Sequence, residues 1–260
     1  MKLLRVGEKN KEIPAVLDKE NKIRSLSNYI NDFNPDTLNF NTIDKIKNLD
    51  FKSLPEISSD ARVGSCITRP GNFFAIGLNY KEHAEETGAN VPEYPVVFNK
   101  SIHSITGPND NVIIPKNSNK LDHEVEIAMV IGKKAKRVLE KDAQDYIFGY
   151  CICNDISERD WQKNKGGQWV KGKSGDTFGP LGPYLVTRDG ISELDNMNLY
   201  LDVNGKRHQT GNTNLMIFSF NFLVSHLSNY ITLMPGDIIT TGTPPGVGLG
   251  MNPPKFLKNG

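Results

Sequence analysis

The stretch Leu121-Asp-His-Glu-Val-Glu-Ile-Ala-Met-Val-Ile-Gly132 sets two glutamates at the mouth of a strongly β-forming run. Side chains at i and i+2 of a strand share a face. Asp122, Glu124 and Glu126 therefore lie on one side with Ala128 and Val130. His123, Val125, Ile127, Met129 and Ile131 lie on the other, which reads as core. The first face turns from acidic to small and apolar, which puts the acids at one end of the strand. Carboxylates are costly to bury, and two side by side in a dry place need a cation. Exposed glutamates on a sheet edge are the alternative reading. Asp155 ends a second apolar run, Ile147-Phe-Gly-Tyr-Cys-Ile-Cys-Asn154. An acid there also serves as a helix N-cap, here for 156–162. Three carboxylates offering only oxygen suit a hard divalent cation such as Mg²⁺ or Mn²⁺.

Outward from this strand, β patterns dominate the chain beyond residue 72. Strands are expected at 73–77, 96–99, 112–114, 124–131, 147–154, 183–186, 199–203 and 237–241. Asn204-Gly205 after Val203 is a two-residue hairpin signal, because a type I′ turn needs positive φ twice. Helices are fewer, at 80–86, 140–145, 158–163 and 220–233, the last with apolar residues near period 3.6. Residues 1–65 differ, with short strands at 2–6, 14–17 and 22–25 and helical patches at 26–33 and 42–48. They read as a small N-terminal α/β module, joined to a main body of 66–260 through a Pro-, Ser- and Gly-containing connection. The class is α+β, mostly β, with a large and mainly antiparallel sheet.

Composition narrows the partners. Charged residues are 23% of 260 and the formal net charge is +1, which gives no electrostatic reason to expect nucleic acid or an anionic membrane. No run approaches the ~18 apolar residues of a membrane span, and the first residues contain no apolar core of a secretory signal. Three cysteines, Cys66, Cys151 and Cys153, form no framework and fit a reducing cytoplasm. Cys151 and Cys153 read as small core residues.

Further motifs carry chemistry. His83 and Glu86 stand three apart in Gly77-Leu-Asn-Tyr-Lys-Glu-His-Ala-Glu-Glu-Thr-Gly88, so on a helical turn the glutamate can orient and stabilise the imidazole. An accidental surface pair is the alternative. Gly172-Lys-Ser174 invites a phosphate-loop reading, but the upstream glycine frame is imperfect. The segment 171–183 reads as a loop in which a lysine can act as a fixed cation. Gly242-Thr-Pro-Pro-Gly-Val-Gly248 is a tight turn whose N–H groups and Thr243 hydroxyl can hold an anion, unless the prolines only stiffen it. His103, His208 and His226 read as structural or solvent-facing.

The order of these pieces is distinctive. Gly-x-Asn-Tyr-x-x-His-x-x-Glu precedes Glu-x-Glu, then Asn-Asp-x-Ser-x-Arg-Asp-x-Gln, Gly-Lys-Ser-x-Asp-x-Phe-Gly-Pro and Thr-Gly-Thr-Pro-x-Gly-Val-Gly. From about Gly71 to Gly260 the chain resembles the fumarylacetoacetate hydrolase superfamily. The resemblance implies a mixed β-sandwich roll, usually dimeric, with Mg²⁺ or Mn²⁺ on Glu124, Glu126 and Asp155. It places Lys173 beside the bound substrate and His83 with Glu86 on a lid segment. It implies substrate contacts from Asn79, Tyr80, Gln162 and Thr243, with Arg159 between matched residues. The superfamily includes C–C hydrolases of acylpyruvates and diketo acids, decarboxylases and isomerases. Within it the chain looks most like bacterial members called 2,4-diketo-3-deoxy-rhamnonate or -fuconate hydrolases, or ureidoglycolate lyases. The resemblance thus implies hydrolysis of a 2,4-diketo acid to pyruvate and a second acid. Two departures stand out. His123 replaces a bulky aromatic on the core face, where catalysis is not expected to depend on it. The family's further strand beyond the position of Gly260 is expected to be missing.

Overall fold

The computed structural model describes residues 1–260. Ten strands form one sheet, in the edge-to-edge order Glu56–Ile57, Ile23–Ser25, Ile13–Leu17, Lys2–Val6, Leu185–Thr187, Ile147–Asn154, Val125–Ile131, Ile238–Thr240, Phe73–Gly77 and Val96–Asn99. Only Ile238–Thr240 with Phe73–Gly77 is a parallel pair; the other neighbours are antiparallel. The N-terminal strands continue the same sheet, since Leu3 pairs with Leu185.

Both faces of the central strand Val125–Ile131 are covered. Ala128 and Val130 enter a cluster with Leu3, Val16, Phe33, Phe148 and Leu185, which joins the N-terminal residues to the body. Met129 and Ile131 enter a second cluster with Phe74, Ile76, Leu223 and Leu227. Helix Phe220–Tyr230 supplies that cover by turning Phe220, Leu223, Val224 and Leu227 inward at i, i+3, i+4 and i+7. Ser219 caps it by accepting from Phe222 N at 3.1 Å, a contact typically worth ~1 kcal/mol.

The hairpin Asn198–Val203 with Lys206–Asn212 turns at Asn204 (φ 51°) and Gly205 (φ 73°), as the Asn-Gly pair requires. Several local expectations are corrected. Residues 112–114 form no strand, and Ile113 N donates to the Thr177 hydroxyl at 2.8 Å. Residues 26–33 make one turn, closed by Ile30 N on Leu26 O, and no helix. The last helix stops at Tyr230, because Ile231 is extended (φ −122°, ψ 137°) and Leu233 then bridges to Ala135. The helix expected at 140–145 is a 3₁₀ helix, Glu140–Tyr146. Val170–Lys173 is a helical turn where a loop was expected.

Candidate active site

The acidic strand does not run unbroken. Leu121–Asp122 pairs with Ser157–Glu158, Val125–Ile131 pairs with Ile147–Asn154, and His123 and Glu124 form the break between them. Glu124 N donates to Asn154 Oδ1 at 3.0 Å, and Asp155 N donates to Glu124 O at 2.9 Å. The break thereby brings Glu124 next to Asp155. One carboxylate oxygen from each of Glu124, Glu126 and Asp155 lies within 4.8 Å of the others, and all three residues are buried. The N-cap alternative for Asp155 falls to Glu158, whose Oε2 accepts from Trp161 N at 2.7 Å ahead of helix Arg159–Asn164.

Cations surround these acids. Lys173 donates to Glu124 Oε2 at 2.6 Å and Asp155 Oδ2 at 2.7 Å. Arg159 reaches Glu124 Oε1 at 2.6 Å through Nη1 and Asp122 Oδ2 at 2.8 Å through Nε. Lys100 donates to Asp155 Oδ1 at 2.6 Å and to the backbone carbonyl of Lys173. Four buried carboxylates, counting Asp122, thus face three buried cations, one negative charge in excess. Buried ion pairs are weak contributors to stability, so a cluster of this size points to function. Burial pushes the Glu126 carboxyl well above the usual range, and the charges of Asp155 and Glu124 push it further. Burial acts on Glu124 in the same sense, but Lys173 and Arg159 overcome it and hold that carboxyl below the usual range. The donor set fits a hard divalent cation, which would turn the excess from one negative to one positive charge. A polar atom without a partner lies nearby: the buried hydroxyl of Tyr80 makes no hydrogen bond. Burial, then the Glu126 charge, holds the Tyr80 phenol above its usual range.

The Gly242–Gly248 turn holds anions, as its composition suggests, but they belong to this chain. Gly242 N donates to Glu126 Oε2 at 3.0 Å, Gly246 N to Glu86 Oε2 at 2.9 Å, and Gly248 N to Asp122 Oδ1 at 2.7 Å. Gly246 has φ +104°, and a Cβ there would stand 2.0 Å from the His208 carbonyl oxygen, so only glycine lets the turn seat. His123 is buried with its ring 5.1 Å from that of His208 and no hydrogen bond from either ring nitrogen.

Helix Lys81–Glu86 brings the histidine to the acids. His83 is 6% exposed, which removes the accidental surface pair, and its Nδ1 meets Glu86 Oε1 at 2.8 Å. A cleft of about 80 Å³ is lined by His83, Glu124, Glu126, Arg159, Gln162, Lys173 and Thr243, together with Lys163, Trp169 and Leu249. The structure does not bring Asn79 to that lining. Its amide donates to Phe218 O and Thr241 O and accepts from Phe218 N, so it staples the strand end that carries the helix. Tyr80 also lies outside the lining. Thr243 lines the cleft with its hydroxyl donating to Val125 O at 2.9 Å and accepting from Gln209 at 2.7 Å. Gln162 Oε1 accepts from Arg159 Nη1 at 3.1 Å. A larger cavity, about 990 Å³, opens beside Arg5 and Arg62; His103 lines it, and none of the candidate metal, catalytic or substrate-binding residues does.

Two residues at the site were given no role by the sequence reasoning, although Asp122 was placed on the acidic face. Asp122, 0% exposed, ties Arg159 to the glycine turn. Lys100 is 2% exposed and neutralises Asp155; a lysine closing the apolar run Val96-Val-Phe-Asn-Lys100 was the one available signal. Lys100→Met should destabilise the metal-free protein by about 3–5 kcal/mol, since Asp155 loses a buried partner. Saturating Mn²⁺ should restore much of that loss in urea unfolding, because it returns the missing positive charge.

Comparison with known proteins gives a consistent picture. A family model described as fumarylacetoacetate (FAA) hydrolase C-terminal matches residues 72–260. A Burkholderia ambifaria protein named as a hydrolase is 51% identical over 261 residues, spanning 100% of this chain and 93% of the relative. Among solved structures, 5-carboxymethyl-2-hydroxymuconate delta-isomerase from Mycobacterium smegmatis is 33% identical, with TM-score 0.76 over 95% of this chain and 89% of that one. Maleylpyruvate hydrolase from Sphingobium sp. SYK-6, in complex with manganese(II) and pyruvate, is 27% identical, with TM-score 0.78 over 95% and 90%.

Proposed function

This chain belongs to the fumarylacetoacetate hydrolase family, and from that premise we propose that it is a divalent-metal-dependent hydrolase that cleaves a carbon–carbon bond in a 2,4-diketo acid. The products are pyruvate and a second acid. The observation that carries this reading is the buried cluster of Glu124, Glu126 and Asp155, two of which, Glu124 and Glu126, line one cleft with His83, itself paired with Glu86. Charge supports it as well. With a divalent cation the buried cluster has one positive charge in excess, which a substrate carboxylate neutralises.

Glu124, Glu126 and Asp155 would hold Mg²⁺ or Mn²⁺, which supplies Lewis-acid polarisation of substrate oxygens. Glu86 accepts from His83 Nδ1–H and leaves Nε2 with its lone pair free. His83 Nε2 then takes a proton from water as the hydroxyl adds to the C4 carbonyl. The C3–C4 bond breaks, its electron pair passes to C3, and the protonated His83 returns the proton to give pyruvate. Lys173 and Arg159 supply fixed positive charge as the oxygens become anionic. Glu86, held by Gly246 N, keeps the helix down over the cleft and limits water.

The manganese and pyruvate of the maleylpyruvate hydrolase complex support this reading. The isomerase relative supports a second one, proton transfer on the same metal without cleavage. A panel of acylpyruvates, including 2,4-diketo-3-deoxy sugar acids, separates them. Hydrolysis releases pyruvate and one carboxylic acid in equal amounts with uptake of water; isomerisation releases neither, and that outcome overturns the first reading. A cytoplasmic homodimer belongs to the same proposal; Ile152, 52% exposed in the central sheet, is an apolar side chain that a second copy would cover.

A further inference from the structure

Helix Arg159–Asn164 places Arg159 and Lys163 at i, i+4, on one face, and both line the cleft. Like charges at that spacing repel. Arg159 has Asp122 and Glu124 as partners, and Lys173 has Glu124 and Asp155. Lys163 has no carboxylate or hydrogen-bond partner and is exposed, so it stands at the mouth of the cleft. Beside it Arg159 Nη2, buried, also has no partner. Partial burial, then the Arg159 charge, lowers the Lys163 ammonium from its usual range, with the Glu124 charge opposing them. The rest of the outer lining is Leu78, Thr87, Ala89, Trp169 and Leu249, none of them acidic.

We propose that Lys163 recognises a second anionic group at the far end of the substrate, so that the preferred 2,4-diketo acid is a dicarboxylate. The inference rests on the proposed hydrolysis and deepens it. The acidic centre takes the keto-acid head; the Lys163 side of the cleft takes the tail. A neutral hydroxylated tail would leave the ammonium without a partner.

Acetylpyruvate and succinylpyruvate test this directly, because they share the reacting head and differ in a terminal carboxylate. Pyruvate release is measured with Mg²⁺ for the native protein, Lys163→Met and Lys163→Arg. The native protein should favour succinylpyruvate in kcat/KM. Lys163→Met should cut that preference about ten- to a hundredfold, the range of hydrogen bonds to charged groups, chiefly through KM, and Lys163→Arg should restore most of it. Equal losses on both substrates, or native kcat/KM no better for succinylpyruvate, overturn the role of Lys163 and leave the reading of the centre standing. Cleavage of neither substrate overturns the reading of the centre and this inference with it.

Discussion

Exhaustive chelation is expected to bring pyruvate release from acylpyruvates to background, a loss on the order of a thousandfold or more, since Lewis-acid stabilisation is worth several kcal/mol. Added Mg²⁺ or Mn²⁺ should restore it. Glu126→Gln should reproduce the loss and abolish Mn²⁺ binding in calorimetry, because it keeps the shape and removes one anionic ligand. The same variant should be more stable than the native protein when metal is absent. Burial and the neighbouring Asp155 and Glu124 raise the folded-state pKa of Glu126. A raised carboxyl pKa means that the folded state holds its proton more tightly than the unfolded chain does. That contribution is complete below the unfolded pKa and is lost as pH rises through the higher folded value. Glutamine needs no proton to stay neutral, so the variant keeps its stability at neutral pH, where the native metal-free protein has lost this part. The measurement is urea unfolding of both proteins in chelator at acid and neutral pH; a variant less stable at neutral pH would contradict the assignment. Full activity in chelator would sink the metal role altogether.

His83→Ala should lower kcat for acylpyruvate hydrolysis by about 10²–10⁴, the usual share of a general base, with Mn²⁺ affinity nearly unchanged. Glu86→Gln should cost a comparable factor for a different reason. Glu86 accepts at both oxygens, from His83 at 2.8 Å and from Gly246 N at 2.9 Å. A glutamine that keeps its oxygen toward Gly246 presents its NH₂ to Nδ1. The proton then moves to Nε2, and the base is lost although the geometry survives. Oxaloacetate decarboxylation needs no attacking water, so both variants should retain it better than hydrolysis. A His83→Ala protein that hydrolyses at the native rate places the base elsewhere.

These predictions draw on parts of the molecule that were unequally legible in the chain. The Glu124–Glu126 spacing, the i, i+3 relation of His83 and Glu86, and the Asn204-Gly205 turn are local, and local geometry fixes them. The strands in apolar runs are legible for the same reason, since period 2 is a property of neighbours in sequence. Residues 112–114 failed because a strand also needs a partner, and a sequence pattern does not supply one.

By itself, then, the sequence determined which side chains have the chemistry for a metal centre and a water-activating pair, and that a mostly β body carries them. The tertiary structure alone decided that the acidic strand breaks at His123-Glu124, that Lys100 neutralises Asp155 from 55 positions away, and that Gly248 N holds Asp122 across 126. It also decided that Asn79 staples backbone instead of lining the cleft. The physical reason is common to all four. A buried charge or amide must find partners wherever the fold brings them, and the cost of leaving it without one acts on the folded chain alone.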